Sequence, residues 1–157
     1  MTALLQTIEN FLMADLFNTD FLDFIDAFNK AKMEYILVGG YAVILHGFAR
    51  STGDMDIWVN KTSANYQNLR RAFELFGTPV FSEKDFLGNE IDVWGIGKEP
   101  NRIKILNQLK GIMFEEAYPL CKTFTQNKIE VKYIHINYLI KAKEAAGRLK
   151  TKTILNN

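Results

Sequence analysis

The sequence is poor in the residues that mark several specialised classes of protein. Among its 157 residues it has one cysteine, Cys121, and two histidines. A single cysteine excludes an internal disulfide, and neither histidine has a partner at the spacing of a zinc site. No run of about 18 apolar residues is present, so we expect neither a membrane span nor a membrane partner. The formal net charge is only +1, so the overall charge does not indicate a protein that binds nucleic acid or a membrane surface.

The N-terminal region also lacks the basic residues with which a signal peptide begins. It carries acids instead, so we expect no signal peptide and a cytoplasmic protein. With 48% hydrophobic and 24% charged residues, the composition is that of an ordinary globular domain. We therefore predict a single domain over residues 1–157, with a helical lead-in at 1–32 and a core at 33–150.

Two amphipathic stretches near the N-terminus predict a pair of helices. Apolar residues recur at helical spacing over 3–16 and again over 18–32. Asn18 or Thr19 is placed to cap the second helix. The second stretch carries a stripe rich in phenylalanine. We interpret this stripe as a face of the core rather than as a groove for a partner.

The remainder of the chain alternates between strand and helix patterns. Strands are predicted at 35–38, 54–59, 91–94, 103–106, 120–125 and 128–134. Helices are predicted at 41–48, 62–76 and 136–147, and the segment 78–89 is predicted to be a loop that is partly helical. Gly77 and Gly147 are predicted to end the two longer helices.

Three short motifs lie close together in the sequence and predict a binding site. The first is Gly39 and Gly40, which follow a buried strand and precede a helix. Glycine lets the backbone approach a ligand closely, and the free N–H groups of a helix N-terminus can face a phosphate. The second is Arg50, Ser51 and Thr52, whose side chains are predicted to contact phosphate oxygens.

Asp54 and Asp56 form the third motif. Two aspartates that are two positions apart on a strand point to the same face of the sheet. Crowded carboxylates repel each other unless a cation lies between them. Mg²⁺ is the expected cation because it prefers hard oxygen ligands and shares them with substrate phosphates. We therefore predict that both aspartates bind metal.

The order of these motifs resembles that of the nucleotidyltransferase superfamily, whose members have the DNA polymerase β-like fold. More closely, the chain resembles small bacterial nucleotidyltransferase-like proteins that are related to AbiE-type toxins and to minimal nucleotidyltransferase antitoxins. The resemblance covers about residues 35–150. The residues that carry it are Leu37–Ala42, His46, Gly47, Arg50–Thr52, Asp54–Ile57, Pro100–Leu106, Gly111, Phe114–Ala117 and Leu139–Lys150.

This resemblance implies a fold, a reaction and partners. The fold would be α+β, a mixed sheet flanked by helices. The reaction would move a nucleoside monophosphate from an NTP to an acceptor, which is RNA, a protein or a small molecule. Asp54 and Asp56 would be the catalytic residues and hold one or two Mg²⁺ ions, while Gly39 and Gly40 would form the phosphate loop. A toxin or antitoxin would be the protein partner.

One position departs from the family pattern. The family has a third carboxylate on a neighbouring strand, where this chain has Lys104. A lysine there would neutralise part of the charge of the aspartates and remove the usual base for the proton of the acceptor. Asp92 is an alternative source of the third carboxylate. His46 is an alternative contact for the nucleotide or for Asp54.

The sequence therefore leaves two hypotheses open. In the first, the chain is an active, Mg²⁺-dependent nucleotidyltransferase. In the second, it is a catalytically silent relative that keeps the fold in order to bind a nucleotide or a toxin–antitoxin partner. The replacement of an acid by Lys104 is the feature that separates them.

Overall fold

The computed structural model describes residues 3–4 and 16–155, and for residues 148–155 it describes the backbone only. The first predicted helix, over 3–16, therefore lies mostly outside the described residues. The elements from residue 16 onward are α1 (Thr19–Lys30), β1 (Tyr35–Val38), α2 (Gly39–Leu45), β2 (Met55–Val59), α3 (Ser63–Phe76), α4 (Glu83–Phe86), β3 (Val93–Ile96), β4 (Ile103–Leu106), α5 (Phe114–Ala117), β5 (Lys122–Gln126), β6 (Ile129–Tyr133) and α6 (Ile136–Leu155), with a short 3-10 helix, Tyr118–Leu120, after α5. None of the described helices combines the length and the hydropathy that a membrane span requires.

The strands form one mixed sheet in the order β3-β4-β2-β1-β6-β5. At its centre β1 runs antiparallel to β2, and β2 runs parallel to β4. On the other side β6 runs parallel to β1, while β3 and β5 are antiparallel edge strands. Because of these directions, the C-terminal end of β1 meets the N-terminal ends of β2 and β4 at one end of the sheet.

The two faces of the sheet carry separate core clusters. Side chains alternate along β2, so Met55, Ile57 and Val59 belong to a larger cluster that includes α1 and α3. Trp58 points the other way and belongs to a smaller cluster that includes α5 and α6. By the same alternation, Asp56 lies on the face of the smaller cluster, next to α6.

The phenylalanine stripe of α1 is a core face, as predicted. Phe21, Phe24 and Phe28 are fully buried in the larger cluster. Of the two caps that the sequence offered, Asn18 is the one used, because its side chain accepts a hydrogen bond from the Phe21 N–H at 2.8 Å. The helix is therefore part of the hydrophobic core, and its apolar stripe is not available to a partner.

The left-handed glycine expected at the end of α3 is present, since Gly77 has a φ of 92°. The prediction that Gly147 ends the last helix is wrong, because α6 continues through it to Leu155. A glycine inside a helix costs only about 1 kcal/mol relative to alanine, and its neighbours here are mostly strong helix formers. The bounds 91–94 predicted for the third strand are wrong, since β3 is Val93–Ile96. It begins after Asp92, whose backbone N–H donates to the Asn107 side chain at 2.9 Å.

Candidate functional site

The three predicted motifs meet where β1 ends and β2 begins. Gly39 directly follows β1, and in the antiparallel pairing Val38 lies opposite Asp56. Asp54 directly precedes β2, and Asp56 is the second residue of that strand. The parallel pairing of β2 with β4 then places Lys104 beside Asp56. Residues from three different segments are thus brought to one end of the sheet.

Asp54 is surrounded by hydrogen-bond donors. The backbone N–H of Arg102 donates to its Oδ1 at 3.1 Å, and the ammonium of Lys104 lies 3.3 Å from its Oδ2. The Arg102 guanidinium is 3.7 Å from the same Oδ2. Desolvation by itself raises the pKa of Asp54, but the Arg102 N–H and the Lys104 ammonium outweigh it and hold the pKa below its ordinary value. Asp54 is therefore held as a carboxylate.

Asp56 lies in the opposite kind of environment. Its Oδ1 is buried and has no hydrogen-bond partner. Burial, which is the largest cause, and the nearby charge of Asp54 raise the pKa of Asp56, although Lys104, Arg50 and Arg102 act in the other direction. A buried carboxylate oxygen without a donor is costly to the fold. Such an atom usually receives its partner from water, an ion or a ligand.

The glycines allow the backbone to pack directly against these side chains. Gly39 has a φ of 71°, and a Cβ added to it would overlap with Asp56 Oδ2. A Cβ on Gly40 would overlap with Thr52 Oγ1. The prediction of a loop before a helix at 41–48 is wrong, because Gly39 and Gly40 are the first two residues of α2. Gly39 packs against Asp56 and Gly40 against Thr52, and only glycine fits at these two positions without displacing a side chain of the site.

The structure does not bring every predicted site residue to this place. His46 Nε2 forms a hydrogen bond of 2.6 Å with the backbone oxygen of Ile134, which links the end of α2 to the segment after β6. Asp92 lies before β3, where Gly95 is the residue opposite Lys104. From the usual spacing and rise of strands, Asp92 is about 10 Å across the sheet and about 10 Å along it from the aspartate pair.

The loop that carries Arg50 and Ser51 leaves both residues exposed. Both are accessible to a ligand at the end of the sheet, and the charge of Arg50 reaches Asp56, whose pKa it lowers in part. Sequence reasoning missed Glu99, whose Oε1 lies 2.8 Å from Arg102 Nη2. The two residues are three positions apart in the turn between β3 and β4, so the short spacing of opposite charges is the signal that could have indicated this pair.

Asp54 and Asp56 are the carboxylates that this site offers to a cation. Among the residues that the structure describes, no group of three or more His, Cys, Asp or Glu side chains is arranged to hold a metal ion. Both oxygens of Asp54 already have donors, whereas Asp56 Oδ1 has none. Mg²⁺ is usually bound by one or two protein carboxylates and completes its shell with phosphates and water. The donor set therefore fits one Mg²⁺ that arrives with a nucleotide, and it is short of carboxylates for a second.

The two aspartates are expected to affect stability in opposite directions. Because the folded-state pKa of Asp56 is raised, its charge opposes folding once the pH exceeds the ordinary pKa, and Asp56→Asn should remove that cost. Because the folded-state pKa of Asp54 is lowered, its charge favours folding above the ordinary pKa, and that contribution is lost as the pH falls. Asp54→Asn should therefore destabilise the protein at pH 7 by about 1 kcal/mol, through loss of charge-assisted hydrogen bonds.

Urea unfolding at pH 7 and again near pH 3 measures both effects. The natural protein and Asp56→Asn should differ at pH 7 and converge near pH 3, where Asp56 is protonated because its pKa is raised. The deficit of Asp54→Asn should only begin to shrink at that pH, because the lowered pKa of Asp54 keeps its carboxylate charged to a lower pH. A loss of stability in Asp56→Asn as large as that in Asp54→Asn would contradict the assignment of Asp56 as the strained member of the pair.

Comparison with known proteins identifies the fold. The sequence matches no protein-family model, and no curated protein is significantly similar to it. The structure is similar to the crystal structure of a protein from Thermotoga maritima that is described as a candidate nucleotidyltransferase. The TM-score is 0.60, the match covers 85% of this chain and 86% of that chain, and 13% of the aligned residues are identical. The chain thus has the nucleotidyltransferase-like α+β fold that was expected, and the low identity extends the similarity no further than the fold.

Proposed function

We propose that this chain binds a nucleoside triphosphate together with one Mg²⁺ at Asp54 and Asp56, and that it does not transfer the nucleotide. One observation carries the proposal. Lys104 Nζ lies 3.3 Å from Asp54 Oδ2, at the register position beside Asp56. The resemblance to nucleotidyltransferases leads us to expect an acid at this position in an active enzyme.

Binding is supported by the features that surround the pair. Gly39 and Gly40 keep the backbone clear of side-chain bulk, and Arg50 is exposed on the adjoining loop. A triphosphate carries several negative charges that Arg50 and Lys104 would attract. Bound Mg²⁺ would supply the remaining charge neutralisation between the phosphates and the aspartates. Arg102, which is already paired with Asp54 and Glu99, would keep Asp54 in position.

The absence of transfer follows from the chemistry of the lysine side chain. An ammonium group donates three hydrogen bonds and has no acceptor, so it cannot take the proton of an acceptor hydroxyl. It also partly neutralises Asp54 and so weakens the site for a second cation. Asp92 is too far from the pair to replace the missing acid without a rearrangement of β3. The toxin or antitoxin partner that the resemblance implies stays a prediction.

Replacing Lys104 with aspartate tests this proposal by gain of activity. The measurement is the transfer of label from each α-labelled NTP, with Mg²⁺, to total RNA and cell extract. The natural protein should transfer no label, and Lys104→Asp should raise transfer about 100-fold or more above background, which is the usual contribution of a general base. Lys104→Met is the matched control, because it removes the ammonium without supplying an acid, and it should stay silent.

Binding is measured separately by calorimetric titration with ATP and Mg²⁺. The natural protein should bind, and Asp56→Asn should weaken binding about tenfold, which corresponds to about 1.4 kcal/mol. Transfer by the natural protein that is lost in Asp54→Asn would show instead that the chain is an active enzyme, which is the first hypothesis from the sequence. No binding of ATP at any practical concentration would overturn the proposed function.

A further inference from the structure

A small cavity of about 190 Å³ lies between the aspartate pair and α6. Its walls are mostly aliphatic and come from three parts of the chain. They include Leu106 at the end of β4, Ile134 after β6, and Leu139 and Ala142 on α6. Asp56 and Gly39 form the side of the cavity that faces the candidate site. The cavity therefore adjoins the carboxylate whose Oδ1 is buried and unpartnered.

The size and polarity of this cavity restrict what it can hold. A cavity of about 150 Å³ that is lined by aliphatic and aromatic side chains accepts benzene, so this one has room for a single heterocyclic base. Its charged lining residues are Asp56 and the exposed Lys143. A phosphate does not suit walls of this kind, because they offer almost no hydrogen-bond donors. A flat, weakly polar ring does suit them.

A larger cavity of about 490 Å³ lies beside Asn29 and Lys132. It touches none of the motif residues, and Lys132 within it already donates to the Tyr118 hydroxyl at 2.9 Å. Of these two cavities, the smaller one adjoins the candidate site.

We propose that the cavity between Asp56 and α6 holds the base of the nucleotide whose phosphates lie at Asp54 and Asp56. This inference rests on the proposed function and assigns the part of the ligand that the proposed function leaves open. Asp56 belongs both to the carboxylate pair and to the cavity wall, so a nucleotide anchored there by its phosphates can place its base against α6. Because the walls are aliphatic, the base is held by shape and apolar contact, and discrimination between bases is weak.

The test compares ligands that share the phosphates and differ in the base. Calorimetric titrations are made in Mg²⁺ with inorganic tripolyphosphate, ATP and UTP. ATP should bind about tenfold more tightly than tripolyphosphate, which is the factor expected from about 1.4 kcal/mol of apolar contact. UTP should bind within about tenfold of ATP, because the walls provide no hydrogen bonds that select one base.

Two variants fill the cavity from α6. Ala142 and Ala146 both line the cavity, and a leucine at either position would occupy part of it. Ala146 is exposed, so Ala146→Leu should disturb the core less than Ala142→Leu. Each should lower the affinity for ATP about tenfold, to that of tripolyphosphate, and leave the affinity for tripolyphosphate unchanged. Ile140→Phe is the control, because Ile140 is exposed on the same helix and is not part of the cavity wall. Thermal melting shows which variants are folded.

The outcomes separate this inference from the proposed function. Equal affinity of the natural protein for ATP and tripolyphosphate would overturn the base pocket and leave triphosphate binding in place. Unchanged ATP affinity in a folded Ala146→Leu variant would also overturn it. Failure of both ligands to bind would overturn the proposed function, and the base pocket with it.

Discussion

Replacing Gly39 with alanine is expected to remove most of the nucleotide binding and roughly 2–4 kcal/mol of stability. Gly39 has a φ of 71°, and a left-handed backbone costs a residue with a Cβ about 1–2 kcal/mol. The added Cβ would also overlap with Asp56 Oδ2. Asp56 or the end of β1 must therefore move. Either movement displaces the carboxylate from the place where a cation and phosphates would meet it.

Gly47 is the control for this substitution. It also has a positive φ, 92°, but a Cβ added there would meet nothing within 4 Å. Gly47→Ala should therefore cost only the backbone strain, about 1–2 kcal/mol, and should leave nucleotide affinity unchanged. Urea unfolding and calorimetric titration with ATP and Mg²⁺ measure the two effects. If both variants lose nucleotide binding to the same extent, the overlap of the added Cβ with Asp56 is not the cause of the loss.

Replacing Phe28 with alanine is expected to cost about 3–5 kcal/mol of stability, which is the usual range for a buried phenylalanine. Phe28 is fully buried. Its ring centroid lies 4.5 Å from that of Phe24 and 5.6 Å from that of Tyr35. The cavity left behind would be enclosed by rings that cannot all move into it. Such a loss is a large fraction of the total stability of a typical domain, about 5–15 kcal/mol.

The folded fraction of Phe28→Ala should nevertheless bind nucleotide normally. Phe28 packs in the larger cluster, whereas Asp56 lies on the opposite face of the sheet. Nucleotide affinity measured well below the melting temperature should therefore match that of the natural protein. Leu75→Ala is the control, because Leu75 is 60% exposed and its loss should change stability by no more than about 0.5 kcal/mol. A tenfold loss of affinity in folded Phe28→Ala would mean that the two faces are coupled.

The proximity of Gly39, Asp54 and Asp56 could be predicted because it depends on local geometry. A strand that ends in glycine and a second strand that begins with two aspartates need only pair side by side for the motifs to meet. The alternation of side chains along a strand then places both carboxylates on one face. The Phe-rich stripe of α1 was predictable for a similar reason, since helical spacing alone gathers its apolar side chains.

The partners of Asp54 could not be predicted in the same way. Arg102 and Lys104 reach it only because β4 pairs with β2 in parallel, in a register that matches Lys104 with Asp56. A shift of one residue would turn the Lys104 side chain to the other face of the sheet. The resemblance to nucleotidyltransferases placed Lys104 near the pair. The contact of Lys104 with Asp54 Oδ2 depends on this pairing of distant segments, whereas Glu99 and Arg102 pair within a single turn.

The sequence by itself determined the order of the six strands and of the longer helices from α1 onward, the buried face of α1 and the motifs that form the site. These features depend on the spacing of residues that are close together in the sequence, so they can be predicted without knowledge of the tertiary structure. Only the tertiary structure decided that Asp92 lies away from the aspartates and that an aliphatic cavity adjoins Asp56. Each of these depends on which segments pack together, because a residue's neighbours across a sheet are set by register and packing and not by its neighbours in the chain.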